Sequence, residues 1–230
     1  MRYNFLFMSL LTLLPGAFVY ILRPDLRKII HIMALLSIPF AFTERLFYPD
    51  YWEPVFLFDL VNKIGFGVED LLFVMGLGAF ASTVYAAIFN KTYLQGSAPE
   101  LSGVWKRVIG LAGLMALLVL CLALLSIPMI YGSALIMLVV CGGVVLLRND
   151  LLSPALLGGA ATLLIYTVLC WISLLVYPQI FELTWHTERF TNVFILGIPV
   201  EELIYAFTAG LLATVAYPFV FDARFVTRGD

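Results

Sequence analysis

The sequence has 230 residues, of which 63% are hydrophobic and 12% are charged, and its net charge at pH 7 is −2. Soluble domains carry about 25% charged residues, so this composition excludes a water-soluble enzyme, a disordered chain and a secreted disulfide scaffold. The balance of charge also excludes the basic surface that binds nucleic acid.

Apolar runs separated by charged residues, or by Pro and Gly, predict seven membrane-spanning helices. The first run resembles a signal peptide, but no small-residue cleavage site follows it, so we expect a retained first span. The uncharged stretch 112–147 is too long for one crossing, and residues 126–128 (SIP) divide it into two. The predicted spans are residues 4–22, 29–47, 66–90, 104–127, 129–147, 152–176 and 193–221.

Lysine and arginine residues predict how these spans are oriented, because basic residues are enriched on the cytoplasmic side of a membrane. Nine of the 13 fall on one side. This bias predicts an integral protein of the cell (cytoplasmic) membrane, with its N-terminus outside and its C-terminus in the cytoplasm. The acids have the opposite bias, since ten of the 15 fall in the outer half. The four basic residues on the predicted outer side are Arg2, Arg45, Lys63 and Arg189.

Two segments of the chain match each other in order and spacing. Residues 65–73 (GFGVEDLLF) align with residues 197–205 (GIPVEELIY), and further matches follow downstream without a gap. Such self-similarity predicts a duplication. The predicted units are a first three-helix repeat over 1–95, a linking transmembrane helix over 96–128 and a second three-helix repeat over 129–230.

The linking helix sets the relative direction of the two repeats. Two three-span units joined directly would be inverted, whereas one extra crossing restores the same direction. The sequence therefore predicts an all-α integral membrane protein with about seven transmembrane helices, built as two parallel three-helix repeats plus a linking helix. Both acidic motifs then fall on the same side of the membrane.

Each repeat carries two adjacent acids in the first turn of a long apolar helix. Ionisable residues at membrane depth are costly and often mark functional sites. Successive helical residues point about 100° apart, so only one acid of each pair can face a cavity. The alternative is that these acids only complement the helix dipole. The acids are Glu69 and Asp70 in the first copy, and Glu201 and Glu202 in the second.

A protonated carboxylic acid beside aromatic rings suits carbocation chemistry. The acid protonates an alkene, and the ring faces stabilise the resulting cation. Burial at a dry cavity wall favours the protonated form of such an acid. We predict that Glu201, Glu202, Glu69 and Asp70 act catalytically, and that Phe73, Tyr205, Phe80 and Thr208 bind the substrate.

No motif in the sequence indicates a cofactor or a metal. The chain has neither the glycine-rich dinucleotide fingerprint nor a P-loop, and its two histidines fall on opposite predicted sides. We therefore predict no cofactor and no metal. A lipid or cation carrier, or a sensor, remains open as a non-enzymatic alternative. A retinal photoreceptor is disfavoured, because residues 193–221 contain no lysine for a Schiff base.

The segment 199–205 (PVEELIY) resembles the P-x-E-[ED]-x-x-[FY] signature of the lycopene cyclase domain, the three-span unit of heterodimeric and fused-type carotenoid cyclases. The resemblance extends over the chain as two tandem copies. The first copy departs from the signature, since Gly67 stands where the family has Pro.

This resemblance implies an enzyme of the intramolecular lyase or isomerase type that closes β-ionone-type end rings without redox chemistry or a cofactor. The implied partners are a lipophilic polyene, such as lycopene or a related carotenoid, and membrane lipid. A related membrane terpenoid cyclase or a carotenoid hydratase would share these features. A monomer and a homo-oligomer are both compatible with the sequence.

Overall fold

Seven helices in the described part of the chain are long and apolar enough to cross a membrane, which confirms the predicted all-α membrane fold. The structure is a computed structural model that describes residues 3–95 and 101–229. Arg2, predicted on the outer side, and residues 96–100, predicted to begin the linking segment, lie outside the described residues. In chain order the α-helices are α1 (Asn4–Leu22), α2 (Arg27–Ser37), α3 (Leu60–Ile64), α4 (Val68–Ile88), α5 (Leu101–Leu124), α6 (Met129–Leu147), α7 (Leu152–Val176), α8 (Ile180–Thr184) and α9 (Val200–Val220).

The second crossing changes helix type partway through. It runs over Pro24–Leu46 and consists of a short 3₁₀ turn, Pro24–Leu26, then α2, then a longer 3₁₀ helix, Ile38–Leu46. Pro39 has no N–H to donate to the α-helical ladder, which favours the change at this point. A 3₁₀ helix has about three residues per turn, fewer than an α-helix. The side chains after the change therefore point in directions that a continued α-helix would not give them. Glu44 lies in this segment and is buried.

The last crossing begins later than the predicted residue 193, because a short hairpin precedes it. In this hairpin β2 (Phe194–Ile195) pairs antiparallel with β3 (Ile198–Pro199). The two turn residues, Leu196 and Gly197, both have positive φ angles, of 56° and 80°, as a tight two-residue hairpin turn requires. The hairpin leads directly into α9, and the two acids of the second motif lie in the first turn of that helix.

Helices α4 and α9 are the most buried of the crossings and contact each other at the centre of the bundle. Small residues allow their neighbours to approach closely. A Cβ at Gly78 would overlap the side chain of Ser37 in α2, and one at Gly210 would lie 2.5 Å from the Cβ of Thr162 in α7. Such close backbone approach is a common source of helix association in membranes.

The end of the bundle opposite the acidic motifs is held by a strand pair and by ion pairs. Here β1 (Lys91–Gln95), which follows α4, pairs antiparallel with β4 (Ala223–Thr227), which follows α9. Arg23 pairs with Asp25 at 2.7 Å. A similar Arg-x-Asp pair, between residues 148 and 150, lies at the end of α6 with a distance of 2.8 Å. The basic residues of this end are thus separated from the acidic motifs by the length of the helices.

Candidate active site

An apolar cavity of about 320 Å³ extends from the first turns of α4 and α9 into the bundle. Side chains of α2, its 3₁₀ extension, α5, α6 and α7 complete the wall. Three carboxyl groups lie in this otherwise apolar lining: those of Glu44, Asp70 and Glu202. The aromatic lining residues are Phe40, Phe47, Tyr51, Trp52, Phe73, Tyr166 and Tyr205.

Three hydrogen-bond donors from the described residues converge on Glu202. The Tyr51 hydroxyl and the Trp185 Nε1–H both donate to its Oε1, each at 2.9 Å, and the Tyr166 hydroxyl donates to its Oε2 at 2.7 Å. Burial and the nearby Glu202 carboxyl raise the pKa of Tyr51 well above its ordinary value, so this phenol stays protonated and able to donate. Both carboxyl oxygens of Glu202 are therefore held by donors.

Asp70 lies in a different environment, although it occupies the matching position of the first motif. Its Oδ2 accepts the backbone N–H of Gly67 at 2.7 Å. Its carboxyl group lies within electrostatic range of that of Glu44. The Nε1–H of Trp52 donates to Glu44 Oε1 at 2.7 Å. The lining acid of the first motif thus lies near an acid from the preceding crossing.

The two acidic centres are connected through aromatic residues. Trp52 and Trp185, which donate to Glu44 and Glu202 respectively, form an isolated antiparallel bridge through their backbones. Their ring centroids are 5.1 Å apart. Tyr205 lies within electrostatic range of both Glu44 and Glu202. One continuous wall of rings therefore joins the two centres.

The first acid of each motif is buried behind the cavity rather than in its lining. Glu69 Oε1 accepts the backbone N–H of Leu57 at 2.7 Å. Glu201 Oε1 accepts the Thr191 hydroxyl at 2.6 Å and the Tyr131 hydroxyl at 3.0 Å. Within the described ranges, Oε2 of each of these two acids has no hydrogen-bond partner. These acids attach the segments that precede α4 and α9 to the starts of those helices.

Of the four predicted substrate-binding residues, two line the cavity and two do not. Phe73 and Tyr205 line the cavity, each three residues after the lining acid of its helix. Phe80 and Thr208 are not among the lining residues. Phe80 is fully buried between helices, and the Thr208 hydroxyl donates to the carbonyl of Ile204 at 2.9 Å.

Residues 108–220, about half of the chain, match the family model described as lycopene cyclase. Through this segment the chain belongs to the lycopene cyclase family. Comparison with curated proteins and with solved structures gave no match. Membership of this family supports a carotenoid cyclase function in general terms, with a carotenoid substrate and a membrane setting. The matched segment contains the second acidic motif, and the first lies outside it.

Several residues of the candidate site were not predicted from the sequence. Their signals were weak, because each lies far from the motifs in sequence. The sequence indicated Glu44 only as one of the ten acids in the predicted outer half, and Tyr166 only as a polar aromatic residue in an apolar helix. Three other residues fall between the predicted spans, in segments whose path the sequence did not predict. Tyr51 and Trp52 line the cavity, whereas Trp185 is not a lining residue but donates to Glu202.

Proposed function

We propose that the chain is a membrane carotenoid cyclase that closes a β-ionone-type ring at an acyclic end of lycopene or a related polyene. The proposed reaction is an acid-initiated, cofactor-free and non-redox isomerisation. The observation that carries this proposal is the apolar cavity with three buried carboxyl groups, those of Glu44, Asp70 and Glu202. Buried acids at membrane depth are costly, so three of them around one apolar space support a chemical role.

The size and position of the cavity support binding of one polyene end. Its volume of about 320 Å³ is near the lower limit for sites that bind small molecules, so it suits an end group rather than a whole carotenoid. Phe40 and Leu46 line the cavity and are also 45% and 39% exposed on the outer surface of the bundle. The rest of the polyene can therefore extend past them into lipid.

The proposed reaction needs a proton donor, a wall that stabilises a cation and a proton acceptor. A carboxylic acid O–H breaks, and the π electrons of the terminal double bond form the new C–H bond, leaving a cation. The π electrons of an internal double bond then close the ring. Loss of a proton from the neighbouring ring carbon restores a double bond, so product and substrate have the same formula. The faces of Phe73 and Tyr205 supply cation–π attraction.

The four predicted catalytic acids receive different roles in this proposal. Asp70 and Glu202 line the cavity, which supports direct contact with the substrate. Glu69 and Glu201 hold backbone and side-chain donors of the outer loops, which supports a positioning role. The loops that they hold include those that deliver Trp52 and Trp185 to the site.

We also propose that the chain is a tandem repeat in which the acidic motif of each half supplies one lining acid. Equivalent features of the two halves support this duplication. In each half an Arg-x-Asp ion pair follows the first crossing. Each half also ends with a strand, and these two strands, β1 and β4, pair with each other. The matching glycines Gly78 and Gly210 each mark a close helix contact.

Expression of the chain in a bacterial host that accumulates lycopene tests the proposed function. We expect cyclic carotenoids of unchanged mass, identified by chromatography and mass spectrometry of the extracted pigments. Glu182→Gln, at an exposed position of α8, is a matched control that should retain activity. Unchanged lycopene, with the protein folded in the membrane, would contradict the lycopene assignment. A product heavier by one water would contradict cyclisation and favour hydration.

A further inference from the structure

The candidate cavity is a narrow groove that follows one face of α9. The lining residues of this helix recur every three or four positions, so they form one stripe along it. The stripe extends from Glu202 to Ala216, which at 1.5 Å per residue is a length of about 21 Å. Spread over this length, a volume of about 320 Å³ holds a single extended chain. The α9 stripe comprises Glu202, Tyr205, Ala209, Leu212, Ala213 and Ala216.

The neighbouring crossings present stripes of the same kind. On α4 the lining residues lie between Asp70 and Gly78, and they also follow one helical face. On α5 the lining residues are Leu111, Met115 and Val119, which are spaced by four residues each. Residues on one helical face form a line parallel to the helix axis. The groove therefore runs along the bundle, between the crossings.

The two ends of the groove differ in chemistry. On α9 the carboxyl group and the aromatic ring belong to the first two lining residues, Glu202 and Tyr205, and the residues after them are aliphatic. The order is the same on α4, where Asp70 and Phe73 precede the aliphatic part of the stripe. Aromatic faces stabilise a cation, and aliphatic side chains do not. The reacting end of a substrate therefore belongs at the acidic end of the groove, which contains Asp70 and Glu202.

The aliphatic part of the α9 stripe is unusually low. Three of its four residues are alanines, and Ala213 and Ala216 are partly exposed although α9 is one of the two most buried crossings. Protein interiors are close-packed, with few voids. A row of single methyl groups beside a groove therefore leaves a recess in the helix surface that a straight apolar chain can fill.

Building on the proposed function, we propose that Ala209, Ala213 and Ala216 are specificity-determining residues that form the floor of a track for the linear chain of the substrate. The acyclic end lies at the acidic end of the groove, between Asp70 and Glu202. The conjugated chain lies along α9 over the three alanines, with the remainder in lipid. The track has no polar group to bind beyond the acidic end, so it selects its substrate by width and straightness.

Ala213→Leu tests this proposal, because it fills the track about 16 Å from Glu202 along the helix and leaves every acid in place. We expect the KM for lycopene in proteoliposomes to rise at least about tenfold, while the turnover number changes less than about threefold. This pattern reports lost binding that is remote from the reacting atoms. Ala216→Leu provides a second test if Ala213→Leu does not fold.

A truncated polyene separates the track from the acidic end. It has the same acyclic end as lycopene, but its chain is too short to reach Ala213. We expect Ala213→Leu to cyclise it with the same kinetics as the unmodified chain. Ala160→Leu, at an exposed position of α7, is a matched control that should leave the kinetics of both substrates unchanged.

Two kinetic outcomes would overturn the track. Equal losses with lycopene and with the truncated polyene would mean that Ala213→Leu disturbs the acidic end or the fold. An unchanged KM for lycopene in folded Ala213→Leu would mean that the chain leaves the cavity directly past Phe40 and Leu46, without following α9.

Quenching of tryptophan fluorescence by lycopene gives a readout that does not depend on turnover, because Trp52 lines the cavity. We expect saturable quenching in the unmodified chain, with a Kd at least about tenfold higher in Ala213→Leu and unchanged in Ala160→Leu. If the chain binds lycopene with this pattern but does not cyclise it, the proposed function fails and the track is supported. Equal affinity of Ala213→Leu and the unmodified chain, or no saturable binding by the unmodified chain, would overturn the track.

Discussion

The starts of α4 and α9 carry nearly the same motif, yet their lining acids have different partners. The carboxyl group of Asp70 lies within electrostatic range of that of Glu44, whereas Glu202 is surrounded by hydroxyl and indole donors such as Tyr166. The partners come from other elements, so the difference does not arise within the motifs. Two nearly identical motifs can therefore have different surroundings when the neighbouring elements differ.

The largest expected effect tests the Glu202 side of this comparison. Glu202→Gln replaces the carboxyl group with an amide whose NH₂ group faces donors that already point at it, including Tyr166. We expect cyclisation to fall by about 100- to 1,000-fold, as for loss of an electrostatic group at a developing charge. Initial rates of pigment formation in proteoliposomes measure this loss. Activity within threefold of the unmodified chain would remove Glu202 from the mechanism.

A second prediction compares the two tryptophans. Trp52→Phe removes the indole donor that Glu44 accepts at 2.7 Å, whereas Trp185→Phe leaves Glu202 with two tyrosine donors. Hydrogen bonds to charged groups contribute about 1.5–3 kcal/mol, and we expect about a tenfold loss of rate in Trp52→Phe. The loss in Trp185→Phe should be smaller, about threefold, because two donors remain.

Both tryptophan variants need a control for lost packing, since their rings are in contact. Trp171→Phe changes an exposed indole on α7 and should leave the rate of pigment formation unchanged. The reverse order of effects, with Trp185→Phe the more damaging, would mean that Glu202 depends on its indole donor more than Glu44 does.

The smallest expected effects concern the acids behind the cavity. Glu69→Gln and Glu201→Gln keep an oxygen for the loop donors and introduce an NH₂ group where Oε2 has no partner in the described chain. A buried unsatisfied polar group costs about 1–3 kcal/mol, and this cost is present both before and after the substitution. We therefore expect the unfolding midpoint in detergent to change by only a few degrees. Cyclisation by the folded protein should change less than about threefold. A loss as large as that of Glu202→Gln would instead support direct catalysis by these acids.

Much of the fold could be predicted because membrane crossings are determined by local composition. The break at residues 126–128 separates α5 from α6 as expected, since apolar length alone required two crossings. The hairpin before α9 was not predicted, because residues 193–199 are as apolar as the helix that they precede. Hydropathy does not distinguish a short apolar hairpin from one more helical turn.

The acid that faces the cavity also could not be identified from spacing. An aromatic residue four positions after Glu69 or Glu201 is three positions after Asp70 or Glu202, and both spacings lie on one helical face. The rotation of each helix about its axis decides which acid points inward. Packing against the neighbouring helices sets that rotation, and no local pattern records it.

The sequence alone determined the seven crossings, the duplicated acidic motif and the resemblance to a cyclase family, because each depends on residues close together in the chain. Only the tertiary structure decided which acids share a cavity and what each one contacts. Glu44 and Asp70 reach the cavity from two different crossings, and the donors to Glu202 come from three further segments. Hydrogen bonds act over about 3 Å, so the packing of these distant segments decides the chemical character of each acid.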